Sequence, residues 1–308
     1  DLLPECYLDR QYIADVRHFP EGLLKGVDAI VYLAAISNDP MGNKYEAVTL
    51  DINYRSAVDL AIKAKAAGAR SFVFASSCST YGFAADHAMT EDSPLNPLTA
   101  YAKSKVYTEK ELRPLASEDF RITCLRFATA CGMSDRLRLD LVLNDFVASS
   151  VASGKITILS DGTPWRPLIH VKDMARVIEW GVERPLSAGG PFLVVNVGTN
   201  EWNFQVRDLA EAVARIIPGT NISINKDARP DKRSYRVNFD LFRSLAPDHQ
   251  PLYDLDTTIR ELRDGLEAMS FRDQNFRNTN FIRLNIIDFL RSRGYLDEQL
   301  RWTFHANF

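Results

Sequence analysis

The sequence predicts an α/β fold in which a doubly wound parallel sheet is joined by a smaller α/β lobe. Short and almost continuous apolar runs, such as residues 28–35 and 71–75, are typical of strands covered on both faces of a parallel sheet. Helical patterns of roughly ten to fifteen residues alternate with these runs, as expected for βαβ units. A chain of 308 residues is also long enough for two domains.

Four strands and two helices are predicted in the sheet domain, which we assign to residues 1–135 and 167–200. The strands are expected at residues 28–35, 71–75, 121–127 and 192–197. The helices are expected from Tyr54 to Ala67, where Gly68 follows as a stop signal, and from Thr99 to Leu115, where Thr99 is a suitable N-cap.

The smaller lobe is assigned to two insertions, residues 136–166 and 201–308. The first insertion carries a Leu-rich helix and a strand at 155–159. The second begins with an amphipathic helix near 204–217 and becomes more polar after residue 220, with many Arg and Asn. No internal repeat is visible in either insertion.

Composition and charge argue against several classes of protein. Lys and Arg total 37 and Asp and Glu total 40, and a net charge of −3 disfavours a nucleic-acid binder driven by bulk charge. No apolar run approaches the roughly 20 residues that span a bilayer, and the N-terminus lacks the basic and apolar parts of a signal peptide. The four cysteines form no CxxC pair and fit reduced thiols. We therefore expect a cytoplasmic protein without a metal site, a nucleic-acid partner or a membrane anchor.

The strongest local signal is the pair Tyr101 and Lys105, four residues apart in a predicted helix. This spacing places both side chains on one helical face. An ammonium group held there favours the phenolate and lowers the pKa of the tyrosine. Tyr101 could then exchange protons with a substrate near neutral pH. A Lys-rich surface helix produces the same spacing by chance, so the pair alone leaves both interpretations open.

A hydroxyl-rich segment, Ser76 to Gly82, follows the predicted strand that ends at Ala75. The carboxyl ends of strands in an open α/β sheet are the usual place for a ligand. A hydroxyl such as that of Ser77 could donate a hydrogen bond to a substrate oxygen. The alternative is a Ser/Thr-rich turn whose side chains bond only to its own backbone.

Ser77, Tyr101 and Lys105, in this order and context, resemble the extended short-chain dehydrogenase/reductases, in particular the nucleotide-sugar epimerase/dehydratase family. The similarity extends from about Asp15 to at least Tyr235. Its further motifs are Leu33-Ala-Ala35 after a strand, Asn53 before a helix, the segment 125–132 and the segment 162–173. Each motif is weak alone, and the ordered set is specific.

The resemblance implies a Rossmann-type sheet domain that binds NAD, with NADP left open. Tyr101 would take a proton from a sugar hydroxyl while hydride leaves the same carbon for the nicotinamide. Lys105 would tune Tyr101 and hold the cofactor ribose, and Ser77 would bond to the reacting oxygen. The other cofactor contacts implied by the resemblance are Asp15, Val16, Leu33, Ala34, Ala35, Ser37, Asn53, Ser76 and Ala128.

The same resemblance implies a nucleotide-diphosphate sugar as substrate, bound between the sheet domain and the smaller lobe. Arg166 and Asn144 correspond to diphosphate contacts, where a forked guanidinium suits paired phosphate oxygens. Thr129 stands where many members of the family carry Asn. The substrate contacts implied in full are Ser77, Thr129, Asn144, Arg166, Arg229, Arg233 and Tyr235.

Three residues near these motifs also have structural interpretations. Asp15 can equally end a strand and cap a turn. His170 is expected to be structural, and Cys78 is expected to be a small packed residue. In the 3,5-epimerases the catalytic cysteine aligns with Ser79 rather than with Cys78.

The resemblance favours epimerisation among the possible reactions. Sugar dehydratases of the family carry acidic residues at the positions of Cys78 and Ser79, because elimination of water needs a further acid/base pair. Oxidation and reduction at one carbon need only the triad, so the triad alone leaves epimerase and reductase open. A non-catalytic, cofactor-sensing relative is a further alternative, although such proteins usually lose the tyrosine or the lysine.

Two further expectations follow from the resemblance, one about the N-terminal glycine-rich turn and one about the oligomeric state. The family opens with a strand and a G-x-x-G-x-x-G turn, where the backbone approaches the cofactor pyrophosphate. Only Gly22 and Gly26 precede Asp28, so we expect the chain to begin after the first βαβ unit of this pattern. The helices near 54–67 and 99–115 correspond to a four-helix dimer interface, which implies a homodimer.

Overall fold

The computed structural model describes residues 8–83, 87–225, 227–228 and 234–303. Within these ranges no helix is both long and apolar enough to span a membrane. The strands of the described ranges are β1 (Ala29–Tyr32), β2 (Ser71–Ser77), β3 (Arg121–Phe127), β4 (Thr129–Cys131), β5 (Lys155–Ile158), β6 (Trp165–His170), β7 (Phe192–Val197), β8 (Asn203–Gln205) and β9 (Asn221–Ile224).

Helices connect most of these strands. In chain order they are α1 (Asp39–Lys44), α2 (Glu46–Leu50), α3 (Ser56–Ala66), α4 (Ala100–Leu112), α5 (Val142–Ser153), α6 (Val171–Glu183), α7 (Val206–Ile216), α8 (Asp240–Leu245), α9 (Leu255–Ala268) and α10 (Arg283–Ser292). A π-helical turn, Asp51–Arg55, joins α2 to α3.

The central sheet has four parallel strands in the order β1-β2-β3-β7. The inner strands β2 and β3 are buried on both faces, because their apolar side chains alternate between two helical layers, whereas Val31 of the edge strand β1 is exposed. Phe72 and Phe74 of β2 pack toward α3 and α4, while Val73 packs in a cluster with Val177 and Trp180 of α6. The doubly wound parallel sheet expected from the sequence is thus confirmed.

A second apolar cluster forms around α5, α7 and α9, with the two-stranded β5–β9 sheet against it. The opposite faces of α7 and α9 differ sharply in polarity, and their apolar faces are buried against α5, which is apolar over most of its surface. Residues 235–246 were assigned to the smaller lobe, but they pack outside this cluster. Val237, Phe239 and Phe242 share a cluster with β2 and β3 of the central sheet.

Six of the described helices were not predicted from the sequence: α1, α2, α6, α8, α9 and α10. Asn38 caps α1, since its side chain accepts a hydrogen bond from the Met41 amide at 2.8 Å. Pro40 stands in the first turn, where a missing amide hydrogen costs nothing. A second difference is β8, which takes the first residues of the helix predicted near 204–217.

The C-terminal helix α10 packs back on the start of the sheet domain. Asp288 accepts hydrogen bonds from Lys44 Nζ at 2.6 Å and from the Tyr45 hydroxyl at 2.8 Å. Leu284 and Ile287 pack on a small cluster that contains Met41. Through these contacts the C-terminal segment forms one wall of the cavity described next.

Candidate active site

A cavity of about 1000 Å³ lies at the carboxyl ends of the central strands. Ser77 ends β2, Ala128 and Thr129 follow β3, and Tyr101 and Lys105 project from α4; all of them line the cavity. Parallel strands bring their carboxyl ends to one edge, which is why residues distant in sequence meet here. A cavity of this size is large enough for a nucleotide-sized ligand.

Helix α4 is fixed at its start by the predicted N-cap. The Thr99 hydroxyl donates to Asp39 at 2.7 Å and accepts from the Ala102 amide at 3.2 Å. With the first turn held in this way, Tyr101 and Lys105 lie one turn apart on the face of α4 that meets the cavity.

Lys105 is held tightly against the end of β2. Its Nζ atom donates to the Ala75 carbonyl oxygen at 2.6 Å and lies 4.7 Å from the Phe74 ring centroid and 5.5 Å from that of Tyr101. Burial lowers the pKa of Lys105 to about 8, although the carboxylate of Glu109 acts in the opposite direction. Lys105 is therefore close to its titration point at physiological pH.

The electrostatics of Tyr101 differ from the sequence prediction that Lys105 lowers the pKa of this phenol. The pKa of Tyr101 is raised above its ordinary value, because the surrounding protein removes water from the hydroxyl group. The Ser77 hydrogen bond and the positive charge of Arg138 pull the pKa down, and Asp39 raises it further. The Lys105 ammonium group donates its hydrogen bond to the Ala75 carbonyl oxygen rather than to the Tyr101 phenol.

A buried ion pair lies one helical turn beyond Lys105. Arg126 of β3 contacts Glu109 of α4 with its Nη2 atom at 2.7 Å and its Nε atom at 3.0 Å. Ser76 donates to the same carboxylate at 2.5 Å, and Arg126 Nη1 donates to the Tyr81 hydroxyl at 3.0 Å. The network ties α4 to β2 and β3 directly beneath the cavity.

This network was not predicted from the sequence, and neither were Asp39 and Arg138, which also line the cavity. The position of Glu109, four residues after Lys105, was an available signal, because i and i+4 share a helical face. No such spacing in the sequence pointed to Arg126, because its partner Glu109 lies on a different secondary-structure element. Arg138 lies in an irregular loop, where no helical or strand periodicity predicts the orientation of its side chain.

The predicted cofactor residues fall into two groups. Besides Tyr101 and Lys105, those that line the cavity are Leu33, Ala35, Ser37, Ser76 and Ala128. Those that do not line it are Asp15, Val16, Ala34 and Asn53. In the first group Ser76 is buried and bonded to Glu109, so that it supports the cavity floor.

Asp15 and Asn53 have local structural roles. Asp15 caps a short 3₁₀ turn, Val16–His18, and pairs with Arg17. Asn53 is fully buried; its side-chain oxygen accepts from the Ile36 amide at 2.8 Å and its amide donates to the Ile36 carbonyl at 2.9 Å. It thereby fixes the loop that follows β1, the loop from which Ser37 reaches the cavity.

The predicted substrate residues are also divided. Ser77, Thr129, Arg166 and Tyr235 line the main cavity. Asn144 does not: it is buried beside a second, smaller cavity, where its side chain accepts from the Gly132 amide at 3.1 Å and donates to the Arg138 carbonyl at 3.0 Å. Arg229 and Arg233 lie outside the described residues.

Two residues given structural interpretations are packed as expected. The Cys78 thiol is buried, its pKa is raised by burial, and it bonds to the Arg126 carbonyl. His170 is fully buried and caps α6, since its Nδ1 atom accepts from the Lys172 amide at 3.1 Å. The Nε2 atom therefore carries the hydrogen and donates it to Glu261 at 2.7 Å.

Comparison with known proteins identifies a matching family. The model of the NAD dependent epimerase/dehydratase family matches residues 6–198. The chain is 28% identical over 266 residues to a UDP-glucose 4-epimerase of Rhizobium meliloti, covering 80% of this chain and 78% of that protein. It is 29% identical over 163 residues to a UDP-glucose 4-epimerase of Lactobacillus helveticus, covering 48% of this chain and 49%, about half, of that protein.

Solved structures share the fold at low sequence identity. The structure of MoeE5 in complex with UDP-glucose and NAD has a TM-score of 0.74 and 22% identity, covering 85% of this chain and 86% of that one. The UDP-Glc/GlcNAc 4-epimerase from Campylobacter jejuni has a TM-score of 0.65 and 24% identity, covering 80% of each chain. At such identities the similarity establishes the fold.

Proposed function

Because this chain belongs to the NAD dependent epimerase/dehydratase family, we propose that it is an NAD-dependent nucleotide-sugar epimerase that works through a transient keto-sugar. The observation that carries this proposal is the convergence of Ser77, Tyr101 and Lys105 on one large cavity at the carboxyl edge of the sheet. The UDP-glucose 4-epimerases among its relatives support a nucleoside-diphosphate sugar as substrate.

The residues around the cavity fit the nicotinamide and ribose part of NAD. Lys105 offers an ammonium group for ribose hydroxyls, and the small side chains of Ala35 and Ala128 leave room for a flat ring. Bound NAD would supply the hydride acceptor for the oxidation and, once reduced, the hydride donor for the return step, so that the cofactor would not be consumed. NAD-bound structures of the same fold support this choice of cofactor.

The chain's own residues would move the proton. Tyr101 would accept the proton of a sugar hydroxyl as the carbon is oxidised and return it on reduction, once the positive charge of bound NAD has lowered the pKa that burial raises in the free site. Ser77 favours the phenolate form of Tyr101 and would donate a hydrogen bond to the reacting oxygen, which would lower the cost of the charge that forms there. Arg138 favours the phenolate through its positive charge. Arg166 and Tyr235, which also line the cavity, would hold the substrate diphosphate.

Epimerisation is favoured over dehydration by the chemistry of the residues after β2. Cys78 is buried with a raised pKa, and Ser79 carries only a hydroxyl, so neither supplies the carboxylic acid that water elimination needs. A keto-sugar reductase would use the same triad and remains the second candidate. The two differ in stoichiometry, because a reductase consumes one reduced cofactor for each sugar.

This difference gives the test. The protein is incubated with UDP-glucose and catalytic NAD, and the sugar is followed by proton NMR. An epimerase forms the epimer without net change in the absorbance of reduced nicotinamide. A stoichiometric change in that absorbance would identify a dehydrogenase or reductase instead, and neither product across a panel of UDP-, dTDP- and GDP-sugars would contradict the proposal.

We further propose how the chain is organised for this activity. Residues 1–135 and 167–200 would bind the dinucleotide, and residues 136–166 and 201–308 would bind the substrate, except that 235–246 pack on the sheet domain. A homodimer through α3 and α4 is supported by Ile62 and Tyr107, which are 50% and 41% exposed on these helices. We place the protein in the cytoplasm, as its free, buried cysteines suggest.

A further inference from the structure

We propose that helix α1 (Asp39–Lys44) is the positioning element for Tyr101, and that Asp39 and Gly42 are its positioning residues. The helix packs on α4, and its first residues, Asp39 and Pro40, line the main cavity. The inference rests on the proposed function and goes beyond it, because it assigns a role in proton transfer to residues outside the triad. These residues would act by holding Tyr101 in place rather than by exchanging a proton themselves.

The first evidence is the close approach of α1 to the backbone of Tyr101. A Cβ atom added at Gly42 would lie 3.1 Å from the Tyr101 nitrogen and 3.2 Å from the Tyr101 Cβ atom, whereas an ordinary contact is 3.4 Å or longer. Gly42 is buried inside a helix, where glycine is less favourable than alanine. The position therefore depends on the absence of a side chain, which lets α1 rest directly against Tyr101.

The second evidence is a hydrogen bond between the first turns of the two helices. The Thr99 hydroxyl, which caps α4, donates to Asp39 at 2.7 Å. Tyr101 follows two residues later, in the turn that this cap begins. Asp39 and Gly42 are three residues apart and so lie on one face of α1. Together they fix the distance and the orientation of the turn that carries Tyr101.

The third evidence is that α1 is itself held at both ends by distant segments around the cavity. Asn38, the N-cap of α1, donates from its side chain to Asp140 at 2.7 Å, and both residues line the main cavity. At the other end Lys44 donates to Asp288 of α10 at 2.6 Å. Helix α1 thereby sets the position of Tyr101 relative to the walls that would hold the substrate.

The test is the variant Gly42→Ala in the full chain, assayed with the nucleotide sugar that the wild type turns over. The added methyl group has to push α4 away by a few tenths of an ångström, and a catalytic group has to be held within about 0.5 Å of its productive position. We expect kcat to fall about tenfold or more, while KM and the Kd of NAD stay within about twofold of wild type. A wild-type kcat in a folded Gly42→Ala protein would overturn the proposal.

Gly181→Ala is the matched control for overpacking. Gly181 is a buried glycine of α6, and its added Cβ atom would lie 3.3 Å from Val73 Cγ1 in the core of the sheet. Neither Gly181 nor Val73 is among the described residues that line the main cavity. This variant should lower the thermal midpoint and keep the wild-type kcat. If both variants lose kcat in proportion to the fall in thermal midpoint, Gly42 has only a structural role and the proposal is wrong.

Asp39 provides a second pair of variants, which also serves if Gly42→Ala does not fold. Asp39→Ala removes the acceptor of the Thr99 hydroxyl and should lower kcat without a matching change in KM. Asp39→Asn keeps an acceptor oxygen at the same place and should recover most of the lost turnover. Equal losses in both variants would assign the effect to the charge of Asp39 and contradict its positioning role.

A readout without turnover separates this inference from the proposed reaction. Tyr101 is labelled as 3-fluorotyrosine, and the fluorine resonance is recorded in the wild type, Gly42→Ala and Gly181→Ala. We expect the resonance to move in Gly42→Ala and to keep its wild-type position in Gly181→Ala. A moved resonance in a protein that turns over no nucleotide sugar would refute the proposed reaction but not the contact, and an unmoved resonance would overturn the positioning role.

Discussion

At the scale of single residues, burial disfavours the charged forms of both Lys105 and Tyr101. Burial lowers the pKa of the lysine and raises the pKa of the tyrosine. The sequence motif predicted the proximity of the two side chains but gave the wrong sign for the shift at Tyr101. The spacing of two residues along a helix predicts on which face their side chains lie. The burial that shifts their pKa values depends instead on other elements that pack around them.

Lys105→Met is expected to stabilise the fold at neutral pH while removing activity. The folded-state pKa of Lys105, about 8, lies below its unfolded value of 10.5, so the buried charge destabilises the wild type below about pH 8. After allowance for the lost bond to Ala75, the gain should be on the order of 1–2 kcal/mol.

Denaturant titrations of both proteins at pH 7 and pH 10 check the sign. The wild type sheds the folded-state proton between these values and gains stability relative to the variant, so the difference should shrink at pH 10. A wild type that is more stable than Lys105→Met at pH 7 would show that the ammonium group contributes to the fold.

Glu109→Gln is expected to be strongly destabilising and to shift the activity profile. The change leaves the Arg126 guanidinium buried without its carboxylate, which costs on the order of 3–5 kcal/mol. It also removes the negative charge that raises the pKa of Lys105, so the alkaline limb of kcat against pH should move to lower pH. Glu111→Gln, exposed on the same helix, is the control.

A double variant separates the two roles of this ion pair. Glu109→Leu with Arg126→Met replaces both charges by apolar groups of similar size, and its stability should lie close to that of the wild type. If the pair serves only the fold, this variant will keep the wild-type pH profile. A shifted profile in a stable protein would identify Glu109 as a positioning residue for Lys105.

At the scale of elements, local sequence signals account for most of the central sheet. The apolar runs of β2, β3 and β7 and the Thr99 cap of α4 can be recognised within a few residues of chain. Helices α1 and α2 were missed because they are short, although Asn38 and Pro40 mark the start of α1. Their stability comes from packing on α4 and α10, which a local pattern does not reveal.

The connection from β4 to α5 depends on a glycine. Gly132 has φ +101°, and a Cβ atom there would lie 2.3 Å from His170 Nε2, in the hydrogen bond to Glu261. We expect Gly132→Ala to destabilise the protein by on the order of 2–4 kcal/mol through backbone strain and overpacking.

The control for this prediction is Gly26→Ala. Gly26 also has a positive φ, +76°, but nothing lies within 4 Å of the added carbon, so only the strain of about 1 kcal/mol should appear. Urea denaturation of the two variants measures the difference. Equal effects would show that His170 moves aside without cost.

At the scale of the whole molecule, the sequence predicted the doubly wound parallel sheet but not which distant segments of the chain enclose the cavity. Residues 235–246 carry apolar side chains that could serve either unit, and only the assembled structure shows them against β2 and β3. The contact of Asp288 with Lys44 and Tyr45 likewise joins residues more than 240 positions apart.

The proposed homodimer predicts that Ile62→Asp yields a monomer. Ile62 is exposed on α3, which packs against the helix α4 that carries the exposed Tyr107, and a carboxylate at this position could not be buried in an apolar interface. Sedimentation velocity at micromolar concentration measures the outcome. Leu252→Asp, at a leucine that is 72% exposed far along the chain, should leave the dimer intact. A wild type that sediments only as a monomer would contradict the proposal.

The most direct measurement is the turnover of Tyr101→Phe beside that of Tyr107→Phe. Both tyrosines lie on α4, but Tyr107 is exposed and does not line the cavity. Loss of the Tyr101 hydroxyl should reduce kcat by about 10²-fold or more while NAD affinity and the thermal midpoint stay near wild type. Tyr107→Phe should keep wild-type turnover. Near-normal epimerisation by Tyr101→Phe would show that another group moves the proton.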